Sequence, residues 1–215
     1  MSLTLTQIDQ GIEALIKNAD ALITEARLLL SVKSIPRAYT LSHLAREELS
    51  RVVMLEAAAL RVLANRPVNW KKLMKRLRDH KAKLMLENSE SGLQLMAAGM
   101  PATTDVYLGL VAAGASIRND WKNSSIYVNF EDGKFLLPSN QISDRKAERS
   151  VLLAGERLSS IKKKQSVFGE FSKREIGSLS HMPDIDKLVT EDLESLIEAA
   201  VKLIPIIEEK LALRK

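Results

Sequence analysis

From Thr6 to Val32 apolar residues return at helical spacing: Ile8, Ile12, Leu15, Ile16, Ala19, Leu22, Ile23, Ala26 and Leu29. This predicts a first long helix. Ser34-Ile35-Pro36 interrupts the pattern, and proline suits the first turn of the next helix, where its missing amide has no intrahelical partner anyway. That second helix is predicted to run to about Asn65, where Arg66-Pro67 stops it. Asn69 is placed to cap a third helix from Trp70 to about Met96, ended by Gly99 and Pro101. Thr103 or Thr104 caps a fourth, to about Asp120. Ser143 caps a fifth, to about Lys164. Thr190, with Glu191 and Asp192 in the first turn, opens a last helix that Pro205 should kink.

Between the fourth and fifth helices the pattern changes. "SSIYVNFEDGKFLLPSN" carries β-branched and aromatic residues on both sides of Asp132-Gly133, a strong short-range turn signal. A small hairpin or an ordered loop is expected there. After Lys164, "QSVFGEFSKREIGSLSHMPDID" is polar, with two glycines and a proline, and reads as a loop with a helical turn. The expected fold class is all-α. Residues 1–165 form a helical bundle with the hairpin or loop near 124–138, and residues 166–215 form a loop and a C-terminal helix packed on the same domain.

Composition sharpens this picture. Aromatic residues make up only 4% of 215 residues, so a core must come from aliphatic side chains, which favours packed helices over a β-sandwich. There is no cysteine, which excludes disulfides and thiolate metal sites. The start lacks a basic stretch followed by an apolar run, and no apolar segment reaches membrane-spanning length. A cytoplasmic protein without membrane association is therefore expected. The net charge of +5 is compatible with a polyanionic partner.

Candidate chemistry sits on the helical stripes. Leu41, Ala45, Glu48, Val52, Leu55, Ala59 and Val62 form one stripe, and Glu48 is its only polar member. Glu47 falls instead in a row with His43 and Arg51, which reads as surface. On the third helix the stripe Trp70, Leu73, Leu77, His80, Leu84 contains one titratable residue, His80. On the fourth, Tyr107, Val111, Gly114, Arg118, Trp121 turns Arg118 toward the core. A buried carboxylate costs several kcal/mol unless paired, and a guanidinium matches it bidentately, so Glu48 and Arg118 are expected to meet, with His80 completing the cluster. The bland alternative is a buried Glu–Arg pair that fixes helix register. A carboxylate-bridged metal bundle would need Glu-x-x-His on two helices, and the chain contains none. No metal or other cofactor is expected.

Three segments carry a resemblance: "AREELSR" (Ala45–Arg51), "RDHKAKL" (Arg78–Leu84) and "RNDWKNSSIYVNFEDGKFLLPS" (Arg118–Ser139). Over roughly residues 20–160 the chain resembles the abortive-infection AbiV family. That family has a Glu-Glu-Leu-x-Lys-like segment on its second helix, then a His-Lys pair, then a basic-plus-Leu-Tyr-Val-Asp segment. It belongs to the HEPN superfamily of helical, nucleotide-binding domains. The resemblance implies a homodimer of helical bundles and an antiphage protein acting on RNA or the translation apparatus. Arg118, His80 and Glu48 would then be catalytic in a metal-independent ribonuclease, with Asn119, Glu47, Lys81 and Tyr127 in binding roles. The other reading is a non-catalytic bundle that binds nucleotide, RNA or a protein.

Active HEPN nucleases are expected to carry an Arg and then a His after four to six intervening residues. Arg118-Asn119 supplies the first half, but Asp120–Ser125 contains no His. The bare spacing recurs at Arg37 with His43 and at Arg174 with His181. Arg51 stands where relatives carry Lys, and Asn129 where they carry Asp.

Overall fold

Helix α1 (Leu5–Ser31) begins at a reciprocal cap. Thr4 Oγ1 accepts from the Gln7 amide at 3.2 Å, while Gln7 Oε1 accepts from the Thr4 amide at 2.9 Å. Together these satisfy two amides that no helical carbonyl can reach. After a short turn, α2 (Ile35–Leu63) starts with Pro36 in its first turn, as expected. The computed structural model describes residues 2–97 and 117–181. Beyond α2 the order is α3 (Trp70–Arg78), α4 (His80–Ala97), a helical segment α5 over residues 117–124, strands β1 (Asn129–Glu131) and β2 (Lys134–Leu136), a single turn α6 (Pro138–Gln141), α7 (Asp144–Phe168) and a 3₁₀ turn (Phe171–Lys173). The fold is an all-α bundle carrying one small hairpin.

The core lies between α1, α2 and α7. It joins Ile8, Ile12, Ala19 and Ile23 of α1, Ala45, Leu49, Val52, Leu55 and Ala59 of α2, and Ala154, Leu158 and Ile161 of α7. Phe171 closes one end, and two Asp9 carboxylate bonds to the Phe171 and Ser172 amides hold it there, at 3.0 and 2.8 Å. A Cβ at Gly11 would stand 3.0 Å from Leu55 Cδ1, so glycine sets how closely α1 approaches α2. Helix α2 is the central element. Ser42, His43, Ala45, Arg46, Glu47, Leu49 and Ser50 are all buried, and they cover most of its circumference.

Two expectations change. The predicted helix from Trp70 to about Met96 is two helices, because Asp79 adopts an extended backbone (φ −82°, ψ 112°). Its side chain accepts from the Ala82 amide at 3.2 Å and so caps α4 rather than continuing α3. The helix predicted to end near Asp120 continues to residue 124. The caps at Thr103 and Thr104 and the final helix with Thr190 and Pro205 lie outside the described residues.

The hairpin forms at Asp132-Gly133. Both residues take positive φ (49° and 75°), which matches the turn to the twist of the strands. Phe130 pairs across from Phe135, with ring centroids 4.9 Å apart. Asn129 Nδ2 donates to Ser124 Oγ at 3.0 Å and to Gln141 Oε1 at 2.8 Å, fixing the hairpin between α5 and α6. Ser143 caps α7 as expected, accepting from the Lys146 amide. No described helix is long and apolar enough to cross a membrane.

Candidate functional site

The polar interior is built on the side of α2 that carries His43, Arg46, Glu47 and Ser50. These positions repeat at spacings of three and four, so they form a continuous row. Helix α4 faces that row with Lys83 and Glu87, also four apart. Opposite charges meet in two neighbouring clusters.

The first cluster centres on Glu47. Its Oε2 is 2.7 Å from Lys83 Nζ and 2.7 Å from His80 Nδ1. His43 Nε2 lies 3.3 Å from Oε1, close enough for electrostatic attraction but off hydrogen-bond geometry. The Glu47 and Lys83 side chains are 2% and 1% exposed, whereas that of His80 is 56% exposed. Burial alone pushes the Glu47 carboxyl up, but the contacts from His43 and Lys83 outweigh it and bring it down to about 2. Glu47 is therefore an anion and must accept, so His80 Nδ1 carries the proton of the 2.7 Å bond. In neutral His80 the other nitrogen, Nε2, is then the basic one. Burial lowers His43 against the opposing pull of Glu47.

The second cluster centres on Glu87. Arg46 holds Oε1, while Arg118 Nη1 reaches Oε2 at 2.8 Å and Arg157 Nη1 stands 3.7 Å from it. Burial pushes the Glu87 carboxyl up, but Arg46, Arg157 and Arg118 outweigh it, leaving it below the usual carboxylate range. Arg157 also donates to the Arg46 carbonyl and to Ser50 Oγ, each at 3.0 Å, which ties α7 to α2. Arg118 donates further to Asn88 Oδ1. Burial raises the Tyr39 phenol to about 12, and the charges of Arg46 and Arg118 only partly offset this.

The expected meeting of Glu48, His80 and Arg118 does not occur. Each takes a different partner: Glu48 binds Arg51 at 2.8 Å, His80 binds Glu47, and Arg118 binds Glu87 and Asn88. The acid facing inward is Glu47, which the stripe argument placed at the surface. Glu48 stands at the partly open edge of α2 beside Leu44 and Arg51. Arg51 Nε also donates to the Leu77 carbonyl at 2.9 Å, anchoring the end of α3; this second bond uses a second guanidinium nitrogen, which a lysine would lack. Of the other expected binding residues, Asn119 is half-buried, Lys81 is exposed and Tyr127 is exposed on the way into the hairpin.

The bare Arg–His spacings form no pair either. Arg37 is exposed while His43 is buried, and Arg174 donates to the Phe168 carbonyl at 2.5 Å. Sequence reasoning missed Arg46, Lys83, Glu87, Asn88 and Arg157. Their signal was the polar row on α2 matched by Lys83 and Glu87 four residues apart on α4. Among the described residues, no group of three or more His, Asp or Glu is gathered as a metal site.

Chemically, the first cluster is a buried carboxylate that orients an exposed imidazole, the arrangement that prepares a histidine for proton transfer. The second fixes three cations around one buried acid and is a structural lock. Comparison with known proteins finds that the HEPN family model described as AbiV matches residues 7–159. No curated protein and no solved structure matches the chain.

Proposed function

The chain belongs to the AbiV family of HEPN domains, and from that membership we propose that it is an abortive-infection protein that acts on RNA, with His80 as its acid–base residue and Glu47 as the residue that positions it. The observation that carries this reading is the 2.7 Å bond between a fully buried carboxylate and a half-open imidazole. Imidazole is the side chain whose ordinary range suits proton transfer near neutral pH.

In the proposed reaction His80 Nε2 takes the proton of an RNA 2′-hydroxyl. The 2′-oxygen attacks the adjacent phosphorus, and the P–O5′ bond breaks. The imidazolium returns the proton to the departing 5′-oxygen, leaving a 2′,3′-cyclic phosphate and a 5′-hydroxyl. Glu47 stabilises the imidazolium and, in the neutral ring, keeps the proton on Nδ1. Lys83 and His43 hold Glu47 in place.

The test is cleavage of end-labelled single-stranded RNAs by the purified protein in excess EDTA. Cleavage that His80→Ala abolishes and Glu47→Gln strongly reduces, with cyclic-phosphate ends, is the expected result. Intact RNA in every reaction, together with undiminished protection of cells by His80→Ala, would refute it.

One observation favours a second reading, a bundle that binds without cleaving. The Arg118 guanidinium, 16% exposed, is taken up by Glu87 and Asn88, and no His follows it at the spacing of active relatives. Under that reading His80→Ala retains full protection. A homodimer, as in related bundles, is part of both readings.

A further inference from the structure

Helix α3 has an unusual charge distribution. Lys71, Lys72, Lys75, Arg76 and Arg78 are all exposed, and Asp79 is the only acid between Trp70 and Leu86. Asp79 is engaged in capping α4. Among the described residues none of the five cations has a carboxylate partner. Five like charges within nine residues repel one another and weaken an isolated helix. Arg51 holds the helix end from below through the Leu77 carbonyl. The cost of the uncompensated charge is offset when a polyanion covers it.

The five cations divide into two flanks. Lys71, Lys75 and Arg78 follow one another at spacings of four and three and line a shallow cleft of about 730 Å³ with Ser2, Trp70 and Met74. Lys72 and Arg76 lie on the opposite flank. The cleft therefore has a row of cations, with an indole at the end remote from His80, and Arg78 is two residues before His80. Trp70, Leu73 and Leu77 pack against the core and Met74 is half-buried in the cleft, so the helix has no fully exposed apolar side chain to enter a lipid layer. A row of cations that ends at a half-buried indole fits a phosphate backbone with an unpaired base.

We propose that the Lys71–Lys75–Arg78 side of α3 is a track for single-stranded RNA, leading its backbone toward His80. This rests on the RNA reading above and specifies how the strand approaches. The row rises about 10 Å along the helix, enough for two or three phosphates. Neutralising three phosphates of a single strand gives a salt dependence of log K on log [salt] of about −2.

The experiment measures binding of a fluorescent 12-nucleotide RNA to the His80→Ala protein, so that cleavage does not interfere. The expected results are a slope near −2, a loss of at least tenfold in affinity for Lys71→Glu/Lys75→Glu/Arg78→Glu, and a smaller loss for Lys72→Glu/Arg76→Glu. A circular-dichroism melt confirms that each variant is folded, and Lys71→Ala/Lys75→Ala/Arg78→Ala repeats the test without added negative charge. The chain has two tryptophans, so in Trp121→Phe protein the remaining emission comes from Trp70 and is quenched by RNA. Equal losses on both flanks would reduce the track to a diffuse field and overturn it. So would preference for duplex RNA, for DNA of the same sequence, or for acidic vesicles. The two proposals fail separately. If binding follows the track but wild-type protein never cleaves, the acid–base reading falls and the track stands. If wild type cleaves and the Lys71, Lys75 and Arg78 reversal cleaves as well, the track falls.

Discussion

Replacing Glu47 by Gln keeps nearly the same volume and removes one charge, and the structure sets a magnitude for the effect. Lys83, 1% exposed, loses its carboxylate partner. Removing one partner of a buried pair costs about 3–5 kcal/mol, because the other charge is left without compensation. Titration gives a similar figure by a separate route. The Glu47 carboxyl falls from 4.5 to about 2 in the folded protein, which at 1.36 kcal/mol per unit is about 3 kcal/mol. For a chain of this size that is a loss of roughly 6–20 °C in Tm. Glu48→Gln is the internal control. Its pair with Arg51 is partly exposed, three residues away on the same helix, and contributes about 0–1 kcal/mol.

Thermal melts followed by circular dichroism at neutral pH compare the two variants. The pH dependence adds a second check. A carboxylate whose folded pKa is depressed stabilises the fold above its unfolded value, and that stability is lost as pH falls from about 4.5 toward 2. Wild type therefore loses stability over that window and Glu47→Gln loses much less. Adding Lys83→Met to Glu47→Gln should recover part of the loss, since the lone ammonium is gone. Equal melting losses for the two Glu→Gln variants, or an unchanged acid limb in Glu47→Gln, would refute the reasoning.

Three other outcomes are expected. Burial holds His43 below 6.5, so the unfolded chain binds a proton that the folded one does not; stability present above pH 6.5 falls below it, and His43→Gln flattens that part of a pH–melting profile. The Tyr39 phenol, raised to about 12, contributes stability that is present below pH 10 and lost as pH rises from 10 to 12, so Tyr39→Phe removes this alkaline decline in denaturant titrations. A Cβ at Gly155 would meet only the tip of the Arg27 side chain, at 2.8 Å, which can swing aside. Gly155→Ala should then raise Tm by a few degrees, up to about 1 kcal/mol, from helix propensity.

The long helices were legible because their apolar spacing is regular over many turns and their stops are chemical. Pro36, Asn69 and Ser143 each occupy the terminal role their side chains suggest. The Asp132-Gly133 turn was legible for the same reason, since few dipeptides accept two positive φ angles. The interior was harder to read. A stripe argument assumes that a helix buries one face, whereas α2 is enclosed over most of its surface. Of its apolar stripe, Ala45, Val52, Leu55 and Ala59 are core as the spacing predicts, but Glu48 stands at a partly open edge, and the polar row through His43 and Glu47 is buried as well. Glu48 and Glu47 therefore exchanged the places that periodicity assigned them. The break at Asp79 was hidden because Leu77, His80 and Leu84 keep helical spacing across it, although an aspartate can cap a new helix as readily as it can sit within one.

That break has an effect on how the chain can vary. In an uninterrupted helix, each inserted or deleted residue turns everything downstream by about 100°. A change of one residue within α3 would then swing Lys83 and Glu87 away from α2 and dismantle both charge clusters. The extended residue at Asp79 decouples the two rods, because α4 takes its rotational phase from its own cap and from the side chains it docks against. The outer rod is thus free to change its length, charge and pitch while the inner one keeps its setting, so the surface that meets the outside world can diverge without disturbing the machinery beneath it.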